Sequence, residues 1–123
     1  MGSFVEGPTG TYTMTSEGVD IWDNSDQFHF AYKELSGAGT IIAKVESVEN
    51  THEWAKAGVM IRDTLDADSR HAMMVVTPAQ GVSFQRRSLR RDSLNGFLAQ
   101  CTVTNKLSIK KISQKPQHYL LLL

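Results

Sequence analysis

The residues best suited to recognising a ligand are Trp54, Lys56 and Arg62, which we predict to share one face of a strand. Residues 54–62 alternate with a period of two, and successive side chains of a strand point to opposite faces. An indole ring beside two cations suits a sugar, because a pyranose stacks its apolar face on the ring and hydrogen-bonds along its polar rim. The alternative is that Trp54 closes one end of the core while Lys56 and Arg62 are solvated.

The acidic residues do not form the pattern of a catalytic or calcium-binding site. Asp63, Asp66 and Asp68 lack the alternate spacing and the sixth-position glycine of an EF-hand loop. A glycosidase needs two carboxylates about 5–10 Å apart across a cleft, and no predicted strand carries two acids on one face near an aromatic ring. We therefore predict that the chain has no enzymatic activity and does not hydrolyse polysaccharides.

The sequence also predicts no metal ion and no cofactor. The four histidines share no metal-ligand spacing; they are His29, His52, His71 and His118. Ser69 and His71 could complete a triad with an aspartate, but no nucleophile elbow surrounds the serine. Asp20, Asp23 and Asp26 could hold a structural calcium ion in their polar loop, although three such acids are more simply explained as solvated.

The chain is electrically neutral as a whole but strongly uneven along its length. Its 123 residues, of which 13 are basic and 13 acidic, indicate a single globular domain. Residues 1–85 hold five basic against twelve acidic residues, whereas residues 86–123 hold eight against one. The arginines of the basic segment have no aromatic residues between them, so we predict no nucleic-acid partner. These arginines are Arg86, Arg87, Arg90 and Arg91.

Neither a disulfide nor a membrane segment is predicted. Cys101 is the single cysteine, so no internal disulfide can form. No apolar run approaches the roughly 20 residues of a membrane helix, and the N-terminus lacks the basic and apolar regions of a signal peptide. We therefore expect no membrane partner, and the compartment stays open.

Hydrophobic alternation predicts an all-β fold. Between residues 11 and 86 we count about seven short strands at roughly 10-residue spacing and no helical period, which is typical of an antiparallel sandwich or barrel. The predicted strands cover residues 11–15, 19–22, 28–33, 40–48, 54–62, 70–77 and 82–86. We expect Trp22 in the core, and the aromatic face of residues 28–32 beside five aliphatic side chains. Those five are Ala55, Val59, Ile61, Met74 and Val76.

The last third of the chain is harder to interpret. Residues 98–104 and Leu107–Ile112 alternate weakly and could pair as a hairpin, whereas Pro116 favours a frayed end over residues 113–118. We therefore divide the chain into a core over residues 1–87 and a divergent basic tail over residues 88–123. The tail is expected to be either a hairpin or poorly ordered.

Three motifs carry a resemblance to a known family. They are WAKAGVMIR at residues 54–62, SRHA at residues 69–72, and Thr77-Pro78 followed by Gly81-Val82. Over about residues 10–87 the chain resembles a family of bacterial domains with the concanavalin A-like lectin/glucanase fold, some of which are described as "regulation of enolase protein". The resemblance implies an antiparallel β-sandwich of jelly-roll type, no assigned activity, and an extracellular or cell-surface location.

Beyond Arg87 the sequence departs from that family. It lacks the family's Gly/Ser-rich loop, its Trp-Val-Lys-Leu-like strand and its Asp-Gly hairpin, so the resemblance implies a domain whose C-terminal half is missing. A sandwich needs two sheets to bury its inner faces. We therefore expect a sandwich that is incomplete at its C-terminus and self-associates through an exposed sheet face.

The function expected on these grounds is a non-catalytic accessory module that binds a carbohydrate or a surface, with a polysaccharide or glycan as its partner. Two alternatives stay open. One is a remnant of a glycoside hydrolase of the same fold, which the missing acid pair disfavours. The other is a structural interaction or spacer module with no small ligand.

Overall fold

The structure is a computed structural model that describes residues 2–88 and the backbone of three later strands, at residues 98–103, 107–112 and 117–122. The described residues form an all-β protein with no helix. The strands are β1 (Ser3–Glu6), β2 (Tyr12–Thr15), β3 (Asp20–Trp22), β4 (Ser25–Gln27), β5 (Phe30–Leu35), β6 (Gly39–Ala43), β7 (Ala57–Arg62), β8 (His71–Thr77), β9 (Gly81–Arg87), β10 (Leu98–Val103), β11 (Leu107–Ile112) and β12 (Gln117–Leu122).

These strands form one large antiparallel sheet and three smaller ones. The large sheet has the order β5-β12-β7-β8-β9, and a three-stranded sheet has the order β10-β11-β6. The hairpins β1–β2 and β3–β4 each form a two-stranded sheet. Strands β6 and β11 approach β7 and β8, so the three-stranded sheet lies near the centre of the large one.

Strands β8 and β9 are joined by a tight turn with a clear local cause. Gly81 has a φ of 70°, in the left-handed region that favours glycine. The Thr77 hydroxyl donates to the Gly81 carbonyl at 2.9 Å and accepts from the Gln80 amide at 3.0 Å. This turn fixes the register in which β9 continues the sheet, with Met73 opposite Gln85 and His71 opposite Arg87.

Strand β7 is buried on both faces, although the sequence alone predicts a core on only one. Val59 and Ile61 on one face and Met60 on the other each have 0% exposure. The first face continues into Ala72 and Met74 of β8. The second continues into Met73 and Val75, where Ile21, Phe28 and Phe30 cover it.

The prediction that the aromatic face of residues 28–32 packs beside Val59 and Ile61 is therefore wrong. Phe28 and Phe30 pack with Met60, and not with Val59 and Ile61. The reason is the register, because β12 lies between β5 and β7 and places Phe30 level with Gly58 across Leu122. Gly58 and Met60 share the face opposite to Val59. Two further members of the predicted core are only half-buried, namely Ala55, which precedes β7, and Val76.

The prediction that Trp22 is buried is also wrong. Its exposure is 69%, whereas that of its neighbour Ile21 is 4%. In a three-residue strand the central side chain points to one face and its two neighbours to the other, and in β3 the central position faces the sheet below. Ile21 takes that position in β3 and Trp22 is left facing outwards.

The backbone of the C-terminal region forms three strands, whereas the sequence predicts either a hairpin or a poorly ordered tail. Strands β10 and β11 pair antiparallel from Leu98 opposite Ile112 to Val103 opposite Leu107, which is the hairpin that the sequence left open. Residues 113–116 of the expected frayed end lie outside the described residues. Gln117 and His118 begin β12, an inner strand of the large sheet.

Candidate binding groove

The β3–β4 hairpin lies over the Met60 face of the large sheet and is attached to it at three points. In the middle, Ile21 packs against Met60, Met73 and Val75. At one end, the Asp20 carboxylate pairs with the ammonium group of Lys56. Opposite Ile21 in the hairpin, Asp26 is bound by two arginines of the sheet. The hairpin therefore has one apolar and two ionic contacts.

Asp26 is the centre of a buried ionic cluster. Its side chain is 1% exposed, and Arg87 binds it with two parallel bonds, Nη2 to Oδ1 at 2.5 Å and Nη1 to Oδ2 at 2.7 Å. The Nη2 atom of Arg62 lies 3.3 Å from Oδ2. A guanidinium matches a carboxylate in this two-pronged geometry, which makes the bond stronger than a pair between single atoms.

Arg62 contributes a buried positive charge from the end of β7. Its residue exposure is 1%, its Nε donates to the Thr64 carbonyl at 2.8 Å, and its guanidinium lies 5.3 Å from the centre of the Phe28 ring. Burial lowers the pKa of Arg62, and the charge of Asp26 opposes that shift. An arginine remains protonated regardless, so the cation is held by the carboxylate, a carbonyl and an aromatic face.

Arg87 connects three parts of the chain. Besides Asp26 in β4, it donates from Nε to the Asp23 carbonyl at 2.7 Å and from Nη1 to the Ser69 carbonyl at 3.1 Å. The hydrogen bond to Asp26 raises the pKa of Arg87. The side chain thus holds the hairpin against both β9 and the loop of residues 63–70.

His71 lies beneath this cluster and is 3% exposed. Its Nδ1 atom is 3.4 Å from the Ser69 carbonyl oxygen and 3.8 Å from Asp26 Oδ2. Burial, together with the charges of Arg87 and Arg62, lowers the pKa of His71 to about 4, although the charge of Asp26 opposes the shift. The imidazole is consequently neutral at pH 7. Ser69 does not complete a triad, because its hydroxyl accepts from the Thr64 amide at 2.9 Å and donates to a carbonyl.

A groove of about 440 Å³ opens beside the hairpin, above His71. Ligand pockets in proteins span roughly 300–1,000 Å³, so its size suits a small ligand or part of a polymer. The exposed Trp22 stands on one wall, and Gln85 and Arg87 reach it from the face of the sheet that also carries His71. The residues that line the groove are Ile21, Trp22, Asp23, His71, Gln85, Arg86 and Arg87.

The structure does not bring together the three residues that the sequence singled out. Trp54 lies in a turn before β7, 39% exposed, and its amide donates to His52 Nδ1 at 3.0 Å. Lys56 is paired with Asp20, and Arg62 lies six residues further along, about 20 Å away in an extended chain. Arg62 is buried and belongs to the ionic cluster around Asp26. A ligand-binding role of these residues stays a prediction.

The loop acids Asp20 and Asp26 each pair with a cation, so the alternative of simply solvated acids does not describe them. In the part of the chain that the structure describes, no group of three or more histidine, cysteine or acidic residues is placed to hold a metal ion. The groove itself was not anticipated, because it depends on Trp22 pointing outwards, and nothing in the local sequence signals that orientation.

Within the described residues, no helix is long and apolar enough to cross a membrane. Comparison of the chain with protein-family models, with curated proteins and with solved structures finds no match. The resemblance to the concanavalin A-like modules therefore remains an interpretation of the sequence.

Proposed function

We propose that this chain is a non-catalytic accessory module, of β-sandwich type, that binds a polysaccharide in the groove beside Trp22. The observation that carries the proposal is the indole ring of Trp22, 69% exposed at the wall of the 440 Å³ groove. An exposed indole ring beside a groove offers a flat apolar surface, and the apolar face of a pyranose can stack on it.

Polar groups for the sugar hydroxyls lie in the same groove. The Asp23 carboxylate offers acceptors, and the Gln85 amide offers both a donor and an acceptor. The hairpin that carries Trp22 and Asp23 is fixed by the Asp26 cluster, so little freedom remains to be lost when the ligand binds.

The same groove supports a role without catalysis. Asp23 is the one carboxylate among its described lining residues, whereas hydrolysis of a glycosidic bond needs two across the cleft. A further acid close by, Asp26, is 1% exposed and bound by Arg62 and Arg87, so it cannot reach a substrate. A hydrolase remnant is accordingly the weaker alternative.

The test is to measure binding of cellohexaose, xylohexaose, mannohexaose and laminarihexaose by calorimetry, with Trp22→Ala and Trp54→Ala as matched variants. We expect at least one hexasaccharide to bind, and Trp22→Ala to weaken that binding by about tenfold or more. Trp54→Ala should leave it unchanged, because Trp54 is not part of the groove. Equal loss in both variants, or no binding to any of the four, would refute the proposal.

A second candidate, a protein-interaction module, is favoured by the outer strand of the large sheet. Val82 and Phe84 of β9 are 45% and 37% exposed on one face. Since β9 ends the large sheet, a second copy could add to it there. Sedimentation of the wild type and of Phe84→Ser would show a concentration-dependent dimer only in the wild type if this role is correct.

A further inference from the structure

We propose that His71 determines the specificity of the groove, with its Nε2 atom accepting a hydrogen bond from a hydroxyl group of the bound sugar. The proposal rests on the sugar-binding function proposed above and names the atom that would select among sugars. Three properties of the imidazole ring support it, namely its tautomer, its charge and its position.

The surroundings of Nδ1 set the tautomer. Its two neighbours are the Ser69 carbonyl oxygen at 3.4 Å and Asp26 Oδ2 at 3.8 Å, and both are acceptors. The proton of a neutral imidazole therefore belongs on Nδ1, which leaves the lone pair on Nε2. Nδ1–H points at the ionic cluster, and the acceptor lies on the other side of the ring.

The ring stays neutral when the groove is occupied at ordinary pH. Every charged group that faces it is part of the same cluster: Asp26 from β4, Arg62 from β7 and Arg87 from β9. The two guanidinium groups outnumber the carboxylate, so a third cation there would be repelled. A protonated imidazole would only donate, whereas the neutral ring presents an acceptor. It is also too weak a base to serve a hydrolytic reaction well.

The position of His71 makes it part of the groove. The residue is 97% buried and yet lines the groove together with Trp22 and Gln85. The contacts of the ring with Ser69 and Asp26 are made by Nδ1, which leaves Nε2 on the other side of the ring. A sugar bound in the groove would supply a hydroxyl donor to Nε2. A carboxylate, a phosphate or an ether oxygen could not, because none of them donates.

The experiment compares His71→Gln with His71→Leu and begins with the free protein. Two-bond ¹⁵N–¹H spectra at pH 7 should show the Nδ1–H tautomer in the absence of ligand. Calorimetry then uses the hexasaccharide that the wild type binds most tightly. We expect His71→Leu to weaken binding about tenfold and His71→Gln, whose amide oxygen can accept, to remain within about threefold of the wild type.

The outcomes separate this inference from the proposed function. An Nε2–H tautomer in the free protein, or His71→Leu binding as tightly as the wild type, would overturn the role of His71 while leaving the function of the groove intact. If none of the four hexasaccharides binds the wild type, the proposed function fails and the inference with it. If His71→Leu does not fold, the tautomer of the free protein and the affinity of His71→Gln still test the acceptor role. A tenfold loss of affinity in His71→Gln would contradict that role.

Discussion

Replacing Asp26 by Asn should destabilise the protein far more than any other exchange of an aspartate for its amide in the hairpin. The side chain is 1% exposed, and its charge compensates two arginines, of which Arg62 is 2% and Arg87 13% exposed. Removing one partner of a buried ion pair costs about 3–5 kcal/mol, since an uncompensated charge is left in the interior. Asn keeps one oxygen that can accept from Arg87, so we expect about 3 kcal/mol.

The matched control is Asp20→Asn at the open end of the hairpin. Asp20 is 46% exposed, so solvent screens its pair with Lys56, whose side chain is 9% exposed. The cost should therefore be smaller, about 1 kcal/mol. Equilibrium urea unfolding, followed by tryptophan fluorescence and by circular dichroism, measures both. With a urea dependence of roughly 2 kcal/mol per molar, Asp26→Asn should lower the midpoint by about 1.5 M.

The buried cluster also predicts how the stability losses of variants on its two sides combine. Asp26→Asn and Arg87→Gln remove the same interaction, so the double variant should lose less stability than the two single losses added together. A cost of Asp26→Asn within about 1 kcal/mol of that of Asp20→Asn, or strictly additive losses in the double variant, would refute the buried cluster as the attachment of the hairpin.

Three further predictions concern the core and its pH dependence. Ile61→Ala should cost about 2–5 kcal/mol in unfolding free energy, because Ile61 is fully buried; a loss below about 0.5 kcal/mol would contradict that packing. Gly58→Ala should lower the urea midpoint strongly, since a Cβ there would collide with the Met74 carbonyl, whereas Gly7→Ala has room and should not. The pKa of His71 is lowered to about 4, so between its unfolded value near 6.5 and that value only the unfolded chain binds the proton, and stability falls as the pH falls. From pH 7 to pH 5 the wild type should lose about 2 kcal/mol more than His71→Gln, and equal losses would contradict the burial of a neutral imidazole.

Much of the fold could be predicted because alternation is a local property. The strands β7, β8 and β9 were expected to within a few residues, since their side chains alternate and the turn at Gly81 has a distinct composition. The burial of Val59, Ile61 and Met74 followed from the same pattern. The all-β class thus needed nothing beyond the order of residues along the chain.

The arrangement of the strands and the candidate groove could not be predicted in that way. Pairing joins segments that are far apart in sequence: β12 lies between β5 and β7, and this register turns the aromatic face of β5 towards Met60. The alternation of side chains around Arg62 is compatible with a solvated side chain and with a buried one, so the local sequence does not predict its burial. Its burial is tolerated because Asp26, from a distant hairpin, lies 3.3 Å away, and charges are compensated by neighbours in space.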